Sequence, residues 1–592
     1  MTSSTPEPSP TTPPDWPHCG HGATSDDPVG CRGIQVLRHT ACLAHLEEPD
    51  RATYLAHLAR QRLGADIDHR GTPFTDELLS ELLTALTHPA TGRLCFGQAN
   101  FEQARFSGDA VFDGAEFEGD AWFKGAEIGG NAQFNKVKID GDAQFEGVKF
   151  GGDAQFVGAQ LGGAWFRRAE IGNEADFGGV KFNGDASFLR SKFSGGAWFG
   201  GAEFHGAIWF GGAEFRGDAV FLQAAFERAA AVGRLVCTGA LDLSGAAFGA
   251  AVTIEAAAAA VHCRRTRWAS TAALRLRHAV VDLSDAVLEH PVSVAARSRP
   301  FTADGAEMAE LDLTGPRVRV VSLRGVDAAH LVLTDLDLTD CRFAGTIHLD
   351  QLRLEGRYTL AVAPSGVWRH GIRPVRWTPR RTLAEEHHWR ATRSAGADGW
   401  TPPLEGEEVL EPAALAPVYR QLRKSFEDGK HEPGAADFYY GEMEMRRHAD
   451  DIPLAERSLL TAYWAISGYG LRASRALVWL LTAMTATVLA MMLWGLPRYD
   501  PKPTITGTPT GTRSITITTV TPDPVNPNGP YRGRLSVERF EKSLRVVINS
   551  VIFRSSGQDL TTAGTYTEMA SRLAEPVLLG LAALAIRSRV RR

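Results

Sequence analysis

The residues best placed to do chemistry lie near the start of the chain. Cys19-Gly-His21, Cys31 and Cys42-Leu-Ala-His45 put three thiols and two imidazoles in one short stretch. A tetrahedral zinc ion takes four sulphur or nitrogen ligands, and Cys19, Cys31 and Cys42 with His21 or His45 would supply them. The candidate set for a structural zinc is Cys19, Cys31, Cys42 and His45, and no cofactor is expected besides that candidate. The competing reading is three reduced thiols buried in a small helical cap, built by the amphipathic runs 53–63 and 75–86. Elsewhere chemistry is sparse. Glu386, His387 and His388 have no fourth ligand within reach and are expected on the surface. Gly-rich stretches such as Gly151-Gly152-Asp153 precede no helical pattern, so they are neither phosphate loop nor dinucleotide fingerprint. No nucleophile-base pair is apparent, and the chain is expected not to be an enzyme.

The element that must carry whatever this protein does is a repeat. One apolar series runs Phe101, Phe112, Phe123, Phe134, Phe145, Phe156, Phe166, Phe177, Phe188, Phe199, Phe210 and Phe221, eleven apart except for one step of ten after Phe156. A second series, including Phe106, Phe117, Phe150, Phe182, Phe193, Phe204 and Phe226, keeps the same rhythm. Each unit is a five plus a six, with a small residue two places before the large one, as in Ala110 with Phe112 and Ala115 with Phe117. A helix of period 3.6 cannot hold residues five and six apart on one face, and Gly108, Gly119, Gly141, Gly152, Gly184 and Gly217 would weaken it at every step. Short strands joined by tight turns fit instead. Coils then stack, a phenylalanine ladder fills the centre (Phe112, Phe117, Phe123, Phe145, Phe150, Phe188, Phe199, Phe204), and Gly-Asp pairs turn the corners with Asp facing water.

This Ala-x-Phe-x-x spacing resembles the pentapeptide-repeat family. The resemblance implies a mainly β fold, a right-handed quadrilateral parallel β-helix. It departs from the family by a sixth residue in alternate units, which should widen one corner per half coil. It implies little about activity, because function lives in sites and not in folds.

Composition narrows the partners. The 592 residues carry a net charge of −6 and are 44% hydrophobic, which argues against a dedicated nucleic-acid binder. Residues 99–226 hold eleven Lys and Arg against eighteen Asp and Glu, a mildly acidic column. Seven Cys, an odd number, suit a reducing compartment without a disulfide framework. Residues 1–17 are rich in Pro, Ser and Thr and read as a disordered leader.

Beyond residue 228 short alternating runs such as Ala240-Leu-Asp-Leu243 and Val318-Arg-Val-Val-Ser-Leu323 continue the coils less regularly, to about residue 375. Scattered Arg and His on them (Arg264, Arg265, Arg275, Arg277, His290, Arg317, Arg319, Arg324, His330, His348) read as solvated surface, with an anion-binding face as the alternative. Residues 376–470 read as a helical module, whose runs 413–426 and 435–447 are similar to a tetratricopeptide-type hairpin. An interfacial helix over 459–470 leads to the membrane segment, 471–592.

Residues 476–497 carry no charge and are long enough to span a bilayer, with Trp479 and Trp494 where interfacial aromatics belong. Arg472 and Arg475 precede that span. A second apolar run over 568–586 ends in Arg587, Arg589, Arg591 and Arg592, so both termini and the bulk of the chain are expected in the cytoplasm. Between them the run 537–553 forms an amphipathic helix before Gly557 and Asp559, the candidates for a pore loop. Two spans and a re-entrant helix resemble the two-helix pore module of potassium-type channels, without its Thr-Val-Gly-Tyr-Gly filter. The expected function is a membrane-tethered cytoplasmic β-helix scaffold for an unidentified protein partner, with the membrane hairpin an anchor or a means of self-association. A channel gated by the β-helix, and a nucleic-acid mimic by analogy with repeat proteins that shield topoisomerases, are the rivals; no direct contact with nucleic acid is expected. The segments are thus 1–17 leader, 18–95 cap, 96–228 regular coils, 229–375 irregular coils, 376–470 helices and 471–592 membrane.

Overall fold

The computed structural model describes residues 12–590 apart from 62–63, 89–90, 229–230, 304, 311, 316, 366–367, 371–372, 376, 394–398, 510–514, 553 and 555–556. The chain divides into two compact units, Met1–Val409 and Leu410–Arg592. Most of the expected leader, residues 1–11, lies outside the described residues. Trp16 does not behave as leader: it is buried, and its indole N–H donates to the Arg32 carbonyl at 2.9 Å.

In the first unit the repeat folds into a parallel β-solenoid of about 12 turns. Lys138 lies between Glu116 and Gln160 in neighbouring coils, so each turn takes two repeats of eleven. The step of ten after Phe156 shortens one coil by a single residue, pairing Ala143 with Ala164 and Lys149 with Glu170. Four parallel ladders result, through Phe117 and Ile139, Ala121 and Ala143, Phe106 and Ile128, and Ala110 and Ala132. Phe112, Phe117, Phe123, Phe145, Phe150, Phe188, Phe199 and Phe204 are all buried. Rings one coil apart stack, Phe123 on Phe145 at 5.0 Å and 4°. Rings half a coil apart meet edge to face, Phe134 and Phe145 at 5.4 Å and 85°. Strands sit about 4.8 Å apart, so the backbone ladder itself sets the stacking distance, and the edge-on contact suits the ring quadrupole. Ala110 and Ala115 are fully buried and leave the rings their room.

The corners differ from expectation in two ways. Gly119 and Gly141 are not the left-handed turn residues. A Cβ on Gly141 would lie 2.8 Å from the Asp120 nitrogen and the Gly119 carbonyl carbon, so glycine stands there because the coils approach too closely for any side chain. The left-handed positions are one corner away, at Gly114 (φ +67°) and Gly125 (φ +64°), and are filled by Gln103 or Lys136 in other coils. Nor do the corner aspartates simply face water. Asp120 Oδ1 accepts the Asp142 amide N–H at 2.8 Å, and Asp109 Oδ1 accepts that of Asn131 at 2.7 Å. Asp185 and Asp218 do the same for Ala207 and Ala240. Each carboxylate thus pairs an N–H of the next coil that the short strands leave over.

The later coils are shorter, with Arg267 beside Ala247 and Val287 beside Arg267, two fewer positions to the turn. The change is made within one strand pair. Ala231–Asp242 runs beside Val252–His262, and one residue drops out of register between Gly233 and Leu235 and another between Cys237 and Ala240. Two bulges convert the coil without breaking the ladder: Phe226 stacks on Phe248 at 4.7 Å and Phe248 on Trp268 at 4.4 Å. Between Val294 and Leu333, which are adjacent rungs, the chain makes an excursion whose Phe301, Met308 and Leu313 pack on Val236 and Ala257.

The N-terminal end is covered by helix α1 (Glu48–Arg60), a strand Ala65–Asp68 parallel to Cys95–Asn100, and helix α2 (Asp76–Leu86), capped by the Thr75 hydroxyl accepting from the Leu78 N–H. His69 is the first rung of the aromatic ladder, fully buried at 5.8 Å from Phe74 and 6.3 Å from Phe101. Burial lowers its pKa from 6.5 to about 4. Between those values the unfolded chain binds a proton that the folded chain refuses, so acidification from pH 7 to 5 is expected to destabilise this end by about 2 kcal/mol. His69→Phe, which continues the ladder, should remove that acid sensitivity. Amide exchange of residues 65–100 at the two pH values reads the difference, and an unchanged pH dependence in the variant would count against it.

The C-terminal end is closed by helix α3 (Ala384–Thr392), which belongs to this unit and not to the helices that follow. Glu385 accepts the backbone N–H groups of Phe343 (2.6 Å) and Ala344 (2.8 Å), and the Ala363 N–H donates to the Arg380 carbonyl. Burial raises the Glu385 pKa. Glu386 and His387, expected on the surface, are buried because α3 covers the open end of the solenoid.

In the second unit, α4 (Pro412–Asp428) and α5 (Glu432–His448) form the expected hairpin. Gly441 is required there, because a Cβ would strike the Tyr419 ring. Glu442 is buried in the hairpin and accepts from Arg420 and Arg423 at 2.8 Å each. α6 (Leu454–Ser467) packs on α5 through Tyr440, Met443 and Trp464. α7 (Ala473–Ala490) ends in a π-turn at Met491–Gly495, α8 spans Val537–Val551 and α9 spans Thr562–Val590. Two stretches, Ala473–Gly495 and Thr562–Arg587, are long and apolar enough to cross a membrane. Arg539 of α8 donates to the carbonyls of Met492, Leu496 and Pro497 and so caps α7. Between α7 and α8 an antiparallel hairpin pairs Thr504–Pro509 with Ile515–Val520.

Candidate functional site

The four expected metal ligands converge. Cys42 begins the 3-10 turn Leu43–His45, whose His45 N–H donates to the Cys42 carbonyl at 2.9 Å, bringing Sγ and Nδ1 to 3.3 Å. The Cys19 and Cys31 stretches run antiparallel, with Cys19 N–H to Gly33 O and Gly20 N–H to Cys31 O both at 2.8 Å. Cys19 Sγ then lies 3.6 Å from His45 Nδ1, and Cys31 Sγ lies 3.7 Å from Cys42 Sγ. All four ligand atoms fall within 4.8 Å of one another, a group that could hold a metal ion. His21 takes the other role, stacking its ring on His45 at 4.2 Å and 22°. The Gly33 N–H donates to Cys31 Sγ at 3.4 Å. Cys31 and Cys42 share a proton, which draws the Cys31 thiol down to about 5 and holds Cys42 up. Cys237 and Cys263 are buried along the solenoid, and desolvation pushes the Cys237 thiol up to about 12, so they are inert.

The other candidates do not assemble into a site. Gly557 takes a left-handed conformation (φ +64°) and is exposed with Asp559 in the stretch between α8 and α9. Several of the scattered cations of the later coils are matched to carboxylates, among them Arg264 to Asp282 (2.6 Å), Arg275 to Glu255 (3.0 Å), Arg319 to Asp340 (3.1 Å) and His348 to Asp327 (2.9 Å).

What the residue-by-residue reading missed is a charge ladder on one outer face. Arg105, Glu127, Lys149, Glu170, Lys192 and Glu214 are successive register partners. Arg105 meets Glu127 at 3.3 Å and Lys149 meets it at 3.9 Å, and a shallow groove follows this face. The signal was available by reading the same position in every second repeat. A second omission is the buried cluster around Glu386, which accepts from Arg380 at 2.5 Å and Arg390 at 2.6 Å. The Arg390 guanidinium lies over the rings of Trp377, Trp389 and Trp400 at 4.8, 5.2 and 5.0 Å.

No curated protein and no solved structure matches the chain significantly. The family profile "Pentapeptide repeats (9 copies)" matches residues 96–138, 134–180 and 166–213 and does not reach the two long apolar helices. Those residues are the ones that build the four ladders and the stacked phenylalanines, so the segment 96–213 is a pentapeptide-repeat solenoid by sequence and by fold.

Proposed function

We propose that this chain is a non-enzymatic, membrane-tethered scaffold whose solenoid presents its outer faces to a protein partner. The observation that carries the reading is the filled interior. With Phe123, Phe134, Phe145 and Phe156 packed ring to ring, the regular coils have no lumen to offer a substrate, and recognition falls to the exterior. The alternating ladder from Arg105 to Glu214 is a regular exterior feature that a partner could read. Its mixed signs suit a protein surface better than a polyanion mimic, which would need one sign throughout. The two long apolar helices support tethering, with the Arg472 and Arg475 side in the cytoplasm. Nothing in the placement of Gly557 and Asp559 favours conduction over anchoring.

Two measurements on the full chain test this. Alkaline carbonate should leave the protein in the membrane pellet; release into the supernatant would end the tether. Lys149→Glu with Lys192→Glu places like charges beside Glu127, Glu170 and Glu214, at roughly 0.2–1 kcal/mol per contact, so the fold should persist while proximity-labelled neighbours change. An unchanged set of neighbours would remove the ladder as the interaction face.

A further inference from the structure

We infer that Cys19, Cys31, Cys42 and His45 form a structural zinc site that clasps the N-terminal segment onto the first coil of the solenoid. Tetrahedral zinc with Zn–S of about 2.3 Å and Zn–N of about 2.0 Å sets sulphurs about 3.8 Å apart and sulphur to nitrogen about 3.5 Å. The distances here are 3.7 Å for Cys31 to Cys42, 3.6 Å for Cys19 to His45 and 3.3 Å for Cys42 to His45. The spacing is that of ligands around a common centre and not of a disulfide, whose sulphurs lie about 2.05 Å apart. Three thiolates and an imidazole are a soft, tetrahedral set, which selects zinc over calcium or magnesium. The Gly33 N–H directed at Cys31 Sγ supports a thiolate, as outer-shell donors do at metal-bound sulphur.

The site also explains how residues 12–46 hold a shape. Their regular structure amounts to one 3-10 turn and a single bridge between His18 and Ile34. A metal bound there would tie that short antiparallel pairing to Cys42 and His45 and add its binding free energy to the folding of the segment. Its attachment runs directly from the ligands. Gly33 is wedged between Cys42 and Thr72, the Ile34 N–H donates to the Arg70 carbonyl at 2.8 Å, and Arg70 lies over Trp16 at 5.0 Å. His69, Arg70 and Thr72 in turn form the first coil, with the Gly71 N–H bonded to the Glu102 carbonyl at 2.8 Å. Loss of zinc should therefore loosen both the clasp and the first rung.

The experiment uses the full-length protein, purified in detergent without a histidine tag. Elemental analysis should give one zinc per chain, and His21→Ala should keep it. Cys42→Ser and His45→Ala should each lose it, and His45→Cys, which restores four ligands, should retain it. Because a ligand variant can simply misfold, the wild-type protein supplies an independent readout. Replacement by Co2+ should give thiolate-to-cobalt charge transfer with tetrahedral d–d bands, and chelation should free three reactive thiols and speed amide exchange over 15–46 and 65–74. Three outcomes would each overturn the site: reduced protein from zinc-supplied cells with no metal, zinc retained after Cys42→Ser with His45→Ala, or a Cys31–Cys42 disulfide in the mass spectrum.

Discussion

Phe145→Ala is expected to cost about 3–5 kcal/mol, the range for emptying a buried aromatic site. Phe145 is fully buried and lies in ring contact with Phe123, Phe134, Phe150, Phe156 and Phe166, at 5.0, 5.4, 6.2, 5.4 and 4.8 Å. The cavity cannot close by collapse, because the ladder hydrogen bonds hold successive coils at fixed spacing. In a solenoid each coil leans only on its neighbours, so the damage should spread along the axis from residue 145 and fade with distance. Amide exchange mapped by coil would reveal that gradient. Val111→Ala, at an exposed position on the same scaffold, should stay within about 0.5 kcal/mol. Equal losses in the two variants would mean that the phenylalanine ladder does not carry the stability.

Glu386→Ala is the second large effect, also about 3–5 kcal/mol, because it leaves the side chains of Arg380 and Arg390 buried without their carboxylate. Those side chains are 3% and 8% exposed and that of Glu386 is 0%. Burying the intact cluster is itself costly, so an apolar replacement of all three, Arg380→Met with Glu386→Leu and Arg390→Met, should recover most of the loss. Exchange at Phe343 and Ala344, whose N–H groups the neighbouring Glu385 holds, reports whether α3 still closes the solenoid. A single substitution no worse than the triple would show that the charges are not the source of the effect.

The two predictions fall on opposite sides of what could be read from the residues alone. The ladder containing Phe145 was legible because a period of eleven leaves no alternative way to bury every large side chain. The cluster at Glu386 was not, since a Glu-His-His run on a short helix looks solvated until the helix is placed over the end of a solenoid. The same limit applied at the corners. Gly141 was visible as punctuation, but the reason for it is the backbone of the coil beneath, two repeats earlier in the chain. Asp120 looked like a solvated turn residue and is an acceptor for the next coil. The shift to the shorter coil lies in two bulges of one strand, which local pattern reads only as a loosened repeat.

By itself the sequence determined the repeat, the inward ladder, the apolar helices and the thiol-imidazole group, since each rests on residue type and spacing along the chain. Only the tertiary structure decided that the three cysteines and His45 converge to within 4.8 Å while His21 stacks on His45, that α3 caps the solenoid, and that alternating charges line one face. Those are facts about which residues a closed coil brings side by side. Stacking distance is set by backbone hydrogen bonds between turns, and it becomes visible only once the turns are closed.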